Sequence, residues 1–546
     1  MIVDARSVPE NDTVAFDVCV AGAGVAGISL AAEFIGKGFE VCLLESGDLK
    51  HRPEIQSLAA GENAGYPYFP LDTARARVFG GTSNFWDIDI GDGCTTAARL
   101  RPLDAIDFEA RDWVPHSGWP IAKTDLDPFY ARAQALLEVE PSSYEVSDWT
   151  DGASAPLPFA ADRVQTIIYK FVPGERFFND LRHEIIKADN ILSFLFANVV
   201  EIETDEHARS VKRLRVRCLE GNGFWIAAKI FVLAMGGIET PRLLLLSNKI
   251  QTNGLANQND LVGRFFMEHL HFWSGVYIPR GCAARDANLY REVRRVNQVP
   301  VIGKVALSER VLRSEKLLNQ NVQLIPADLE PWDTYPGIRS EGVLAVKAIG
   351  AALRRRRLPD DLPTHLKRVF SGIDDVAEAG YQKLARVIGR AFNGTKKVQA
   401  FLLAHMTEQV PNPESRVTLS DSLDSLGQPR VRLDWRLSEI DLLSPIRTQE
   451  ILDAELRRAG LGYLRIEMRD TALPPTIQGG YHHMGTTRMH EDPKKGVVDA
   501  NCRVHGISNL FIAGPSVFPT GGYANPTLTT VALALRLADH VKSIMQ

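Results

Sequence analysis

Residues 16–47 read FDVCVAGAGVAGISLAAEFIGKGFEVCLLESG. Phe16 to Ala21 is an apolar run of strand length, with Val18 and Val20 supplying β-branched bulk. Gly22, Gly24 and Gly27 follow in G-x-G-x-x-G spacing. Ile28, Ala31, Ala32 and Ile35 then mark one helical face, which Lys37 and Gly38 are expected to end. A second apolar run, Val41 to Leu44, stops on Glu45. This is the pattern of a βαβ unit that holds a dinucleotide. Gly22 permits the turn, Gly24 lets backbone approach a pyrophosphate, and Gly27 lets helix and strand pack closely. The free N–H groups of the helix N-terminus face the phosphates. Glu45 is placed to accept from an adenosine ribose, which favours FAD or NAD over NADP.

The chain has 546 residues and a formal net charge of −5. No basic face is interleaved with aromatics, so a nucleic-acid partner is not expected. The six cysteines, Cys19, Cys42, Cys94, Cys218, Cys282 and Cys502, show no metal-ligand spacing, and no metal is expected. Cys19 and Cys42 fall inside predicted strands and read as small buried residues. A reduced, cytoplasmic compartment fits them. The N-terminus lacks an apolar core or basic head, and no apolar run of about 18 residues predicts a membrane span. The dense basic block Arg354 to Arg357 reads as a solvated helix end or a contact with an anionic surface.

Past the opening unit, His51 to Ala76 reads as a polar surface excursion. RARVFGGTSNFWDID follows, from Arg75 to Asp89. Its adjacent Gly80 and Gly81 would let backbone lie against a flat ligand, whose edge Thr82, Ser83 and Asn84 can hydrogen-bond. Thr124 is a plausible N-cap for a structural helix through Leu137. Val164 to Glu203 alternates strand and helix. Arg213–Leu219 and Gly223–Leu233 read as a hairpin turning at Gly221-Asn222-Gly223. VLAMGGIETPRLLLLS, Val232 to Ser247, repeats the strand–glycine–helix order, with a helix opened by Thr240 and Pro241. Strands are expected near Val299–Leu307, Asn321–Leu329, Val398–Gln409 and Val431–Arg436, with a helical insert over about 342–391.

The final stretch carries GGYHHMGTTRM, Gly479 to Met489, and a strand from Asn509 to Ala513 that ends at Gly514. The loop Gly521 to Ala524 leads through Asn525-Pro526 into a helix from Thr527. That helix offers positive potential at its N-terminus.

Taken together, the opening glycines, RVFGGTSNFW, LAMGGIETPRLLLLS, HHMGTTRM and YANPTLT resemble the glucose–methanol–choline (GMC) oxidoreductases. The likeness is strongest to the pyranose oxidases and the large subunits of bacterial sugar dehydrogenases. The resemblance implies an α/β fold: a discontinuous Rossmann-like FAD-binding domain and a substrate domain with a mostly antiparallel sheet and a helical insert. The expected division gives 1–100, 190–271 and 476–546 to the first, 101–189 and 272–475 to the second. It implies oxidation of an alcohol, expected to be a sugar, glycoside or polyol, by hydride transfer to flavin N5.

The family's base is the histidine three residues before the Gly-Thr step, here His482, with His483 pointing elsewhere. Asn525 stands at the position of the second member of the pair. Val199 stands where the family contacts adenine, and Gly514 and Thr527 where backbone meets the flavin. His269 and His271 are expected to be structural. Pyranose oxidases often bind FAD covalently through a histidine before a tryptophan. Phe85-Trp86 stands there instead, so non-covalent FAD is expected. A hydroxynitrile lyase of the same family, or the flavin subunit of a larger dehydrogenase complex, are the alternatives. Nothing in the sequence selects oxygen over another electron acceptor.

Overall fold

The computed structural model describes residues 1–90, 93–150, 154–281, 287–327, 400–472 and 477–546. The expected helical insert and the Arg354–Arg357 block lie outside them. Among the described residues, no helix is long and apolar enough to cross a membrane.

The opening motif sits at the centre of an eight-stranded sheet. Thr13–Ala21 pairs in parallel with Val41–Leu44 on one side and with Gly223–Leu233 on the other. Ile191–Leu195 and then Ile2–Asp4 extend the parallel part outward. The antiparallel strands Val211–Arg217 and Asn198–Thr204 finish the other edge. Leu510–Ile512 pairs with Phe231–Leu233, so the end of the chain completes the sheet begun at its start. Val18, Cys19, Val20, Val41, Cys42 and Leu43 are fully buried, as strands covered on both faces require. The helix Thr527–Met545 packs across the helix Val25–Ala32 and closes this core.

A second eight-stranded sheet is antiparallel throughout. Its order is Gly462–Ile466, Leu270–Pro279, Ala400–Thr407, Gln320–Ala327, Val299–Leu307, Val164–Pro173 and Ala97–Leu100, with Arg294–Val296 beside Val299–Leu307. The edge strand Ala97–Leu100 falls within the residues expected to belong to the other domain. A third, small sheet joins Arg416–Leu423 and Pro429–Asp434 to Gly61–Asn63.

Four local expectations need correction. The first helix ends at Ala32, not at Lys37. Glu33, Phe34 and Ile35 turn more tightly, donating to the carbonyls three residues back, which drives Phe34 into the core against Phe39. Thr124 is not the N-cap of its helix, which runs Lys123–Leu136. The Asp125 carboxylate accepts from the Ala122 N–H at 2.8 Å and fixes the start two residues earlier. The helix after Leu233 begins at Gly236, so Pro241 lies inside it. His51 to Ala76 is not a mere surface excursion: it supplies a strand to the small sheet, and Leu58, Leu71 and Ala74 are buried.

Candidate active site

One cavity of about 680 Å³ runs from the glycine loop at Gly22 to His482 and Asn525. Three helix N-termini open onto it, those of Val25–Ala32, Gly236–Leu246 and Thr527–Met545. None has a side-chain cap, so their first N–H groups are free for a ligand. A Cβ on Gly24 would meet only Gly81 Cα, at 4.0 Å, and one on Gly514 only Ala26 Cβ, at 3.9 Å. Their missing side chains therefore leave open room in the cavity rather than satisfying a tight protein contact. The donor-rich, glycine-floored groove suits an extended anionic dinucleotide with a flat head group.

The expected cofactor residues divide between the lining and the wall behind it. Gly22, Gly24, Glu45, Gly81, Val199, Gly514 and Thr527 line the cavity. Gly27, Gly80 and Asn84 do not. A Cβ on Gly27 would collide with the Gly22 carbonyl, so this glycine serves helix–loop packing. Asn84 Nδ2 donates to the carbonyls of Phe79 and Gly81, both at 2.9 Å, and Ser83 Oγ donates to the Gly80 carbonyl at 2.7 Å. These side chains brace their own loop. Glu45 likewise accepts from the Ala23 N–H at 3.1 Å and the Gly47 N–H at 2.8 Å, tying the first turn to the end of the second strand.

At the far end His482 and Asn525 meet. Asn525 Nδ2 lies 3.1 Å from His482 Nε2, and among the described residues the buried Asn525 Oδ1 has no hydrogen-bond partner. His482 Nδ1 lies 2.8 Å from His269 Nδ1, and His269 Nε2 lies 2.9 Å from the Gly522 carbonyl. A carbonyl only accepts, so His269 carries its proton on Nε2 and accepts at Nδ1. His482 then donates from Nδ1, which leaves the Nε2 lone pair facing Asn525. Burial, then the neighbouring His269 and His271, hold the His482 imidazole well below its usual pKa. The ring is therefore neutral and able to accept a proton.

The segment carrying His482 is held from two sides. Pro241 has no N–H to give the Gly237 carbonyl four residues back, and Thr486 Oγ1 donates to that carbonyl instead, at 2.7 Å. From the other side, Glu268 Oε2 accepts from the N–H groups of His482 at 2.8 Å, Gly480 at 3.0 Å and His269 at 3.2 Å. Tyr68 donates to Glu268 Oε1, and burial pushes the Glu268 carboxyl up to about 7. His483 turns instead to the Tyr68 hydroxyl, 2.9 Å away.

Sequence reasoning missed Glu268, Tyr68 and the part played by His269. The alternation Glu268-His269-Leu270-His271 at the start of a strand was the available signal. On a strand, however, nothing local says which face meets a distant loop.

Residues 411–534 match the sequence family described as GMC oxidoreductase. The chain is 24% identical to the fructose dehydrogenase large subunit of Gluconobacter japonicus over 97% of its own length and 98% of that protein's. A C-glycoside 3-oxidase of Arthrobacter globiformis is 39% identical over 135 residues, 23% of this chain and 24% of that one. The crystal structure of a formate oxidase superposes with a TM-score of 0.54 at 17% identity, covering 98% of this chain and 99% of the other, a likeness of fold. Over residues 411–534 the chain thus matches the GMC oxidoreductase family, and along its whole length it is similar to a sugar dehydrogenase subunit.

Proposed function

We propose that this enzyme oxidises an alcohol to a carbonyl with non-covalently bound FAD, His482 acting as base and Asn525 as its hydrogen-bonding partner. The contact between His482 Nε2 and Asn525 Nδ2, inside the cavity that the glycine loop also lines, carries the reading. A substrate hydroxyl entering between them would donate to Nε2 and accept from Nδ2. His482 would take the hydroxyl proton, and Asn525, which exchanges no proton, would stabilise the developing alkoxide. Bound FAD would supply the acceptor for the hydride leaving the same carbon. Gly22, Gly24 and the N-terminus of Val25–Ala32 would hold the pyrophosphate, Glu45 the ribose, and Val199 the adenine. Gly81, Gly514 and Thr527 would lie against the flavin.

Relatives named as a fructose dehydrogenase and a C-glycoside oxidase support a carbohydrate or polyol substrate. Five free cysteines among the described residues fit a reducing, cytoplasmic setting. Phe85 offers no nucleophilic nitrogen, so acid precipitation should release free yellow FAD, and a flavin-bearing pellet would refute the non-covalent assignment. Anaerobic mixing with a panel of sugars, glycosides and polyols should bleach the flavin. Cyanohydrin cleavage with no bleaching by any alcohol would sink the oxidoreductase reading in favour of a lyase.

A further inference from the structure

We propose that the alcohol oxidised at this site carries a carboxylate, and that Arg99 holds it. The inference rests on the reaction assigned above and names its substrate class. Four arginines line the cavity, Arg75, Arg77, Arg99 and Arg242. Three of them pair with Glu239, and Arg242 also pairs with Asp424. Arg99 has no carboxylate within ion-pair distance among the described residues. Among the described residues its one hydrogen bond runs from Nη2 to Gln323 Oε1 at 3.3 Å, and its Nε is buried without a partner. A guanidinium cannot shed its proton, so its charge stays in the wall uncompensated.

Arg99 lies on the sheet face that also carries His271. Arg99 pairs with Phe171, on the strand that bears Tyr169 two residues earlier; Tyr169 pairs with Ile302, and Lys304 follows two residues on. Across the remaining strands Ala306 pairs with Asn321, Asn321 with Met406, and Met406 with His271. Side chains two apart, or directly opposite, share a face, so Arg99, Lys304, Gln323 and His271 form one polar strip. His271 Nε2, like Arg99 Nε, is buried with no partner.

Lys304 donates to Asn321 Oδ1 at 3.0 Å and lies 4.6 Å from the Tyr169 ring centre. Burial and the Arg99 charge hold its pKa well below the ordinary lysine value, so Arg99 is the fixed cation of the strip. The His271 ring lies 6.1 Å from the His482 ring, centre to centre, so the strip reaches the His482 end of the cavity that Arg99 also lines. One planar monocation matches one carboxylate, with His271 and Gln323 beside it for further polar groups of the substrate.

The test uses the flavin-loaded enzyme and two readouts. The first is the anaerobic bleaching rate with glucuronate, glucuronamide and glucose 6-phosphate. The second is the affinity for cyclohexanecarboxylate and its amide, which have no hydroxyl to oxidise, read from the flavin absorbance. The acid should be favoured over its amide by about ten- to a hundred-fold in both, the worth of a hydrogen bond to a charged group. Arg99→Gln should collapse that ratio, and Arg99→Lys should keep part of it. Equal binding of acid and amide in the native enzyme overturns the proposal, and needs no variant to fold. So does an acid preference that survives in Arg99→Gln, or a stronger Arg99-dependent preference for the phosphate. Arg99-dependent acid binding without bleaching by any alcohol would refute the assigned reaction and leave this site standing.

Discussion

The two ends of the cavity are built on different principles. At the nucleotide end the lining is mostly backbone, a glycine turn and uncapped helix termini, with the Glu45 carboxylate bracing the loop. At the other end it is side chains, His482, Asn525 and Arg99, with His269 and Glu268 holding His482 from behind, all delivered by distant segments. A backbone site tolerates change in whatever side chain points away from it, but no added Cβ where it is closed. A side-chain site is decided atom by atom, and a partner one step removed matters nearly as much as the group in contact.

That contrast can be broken most sharply at His482. His482→Ala should slow anaerobic flavin reduction by about 10²–10⁴-fold, the usual worth of a general base, while leaving the flavin spectrum unchanged. An unaltered rate would move the base elsewhere.

Glu268 tests whether the bracing group sets pH behaviour. Burial raises its carboxyl from 4.5 to about 7 in the folded enzyme. The folded form therefore holds this proton more tightly than the unfolded chain. The resulting stability is fully present below about pH 4.5 and is lost as pH rises through about 7, at most about 3 kcal/mol. Denaturation midpoints of Glu268→Gln should lack that decline; an identical slope in the variant would show that another group is responsible.

His269→Ala removes the acceptor that keeps the His482 proton on Nδ1. Reduction should slow by about ten- to a hundred-fold, the scale on which orienting partners of histidines act, and His269→Gln should recover part of it. Wild-type kinetics in the alanine variant would mean that the tautomer is set by something else.

The smallest and most diagnostic effect lies at the nucleotide end. Gly27→Ala, overpacked against the Gly22 carbonyl, should lower stability by about 1–3 kcal/mol. Gly24→Ala meets open cavity, so the flavin-free protein should melt as before yet retain less FAD. Equal melting losses in both variants would erase the distinction between packing glycine and binding glycine.

The sequence is legible where structure is local. Strand, glycines, helix and acid from Phe16 to Glu45 are contiguous, and each element constrains the next. His482 and Asn525 were singled out by the family resemblance rather than by local pattern, and the structure brings their side chains to 3.1 Å. What local pattern does not carry is register. Whether His269 or His271 reaches the His482 loop depends on how Leu270–Pro279 pairs with Ala400–Thr407. Arg99 joins the strip only through pairings across five further strands. Helix starts failed for a related reason. At Lys123 a carboxylate three residues in did the capping, and at Pro241 a threonine far along the chain took the carbonyl that proline released.

The late arrival of Leu510–Ile512 has a consequence for biosynthesis. Most of the nucleotide sheet leaves the ribosome long before the strand that completes it and the helix that seals it. Asn525 comes later still, some forty residues behind His482. A polypeptide stopped before Asn525 would hold His482 without the side chain it meets across the cavity.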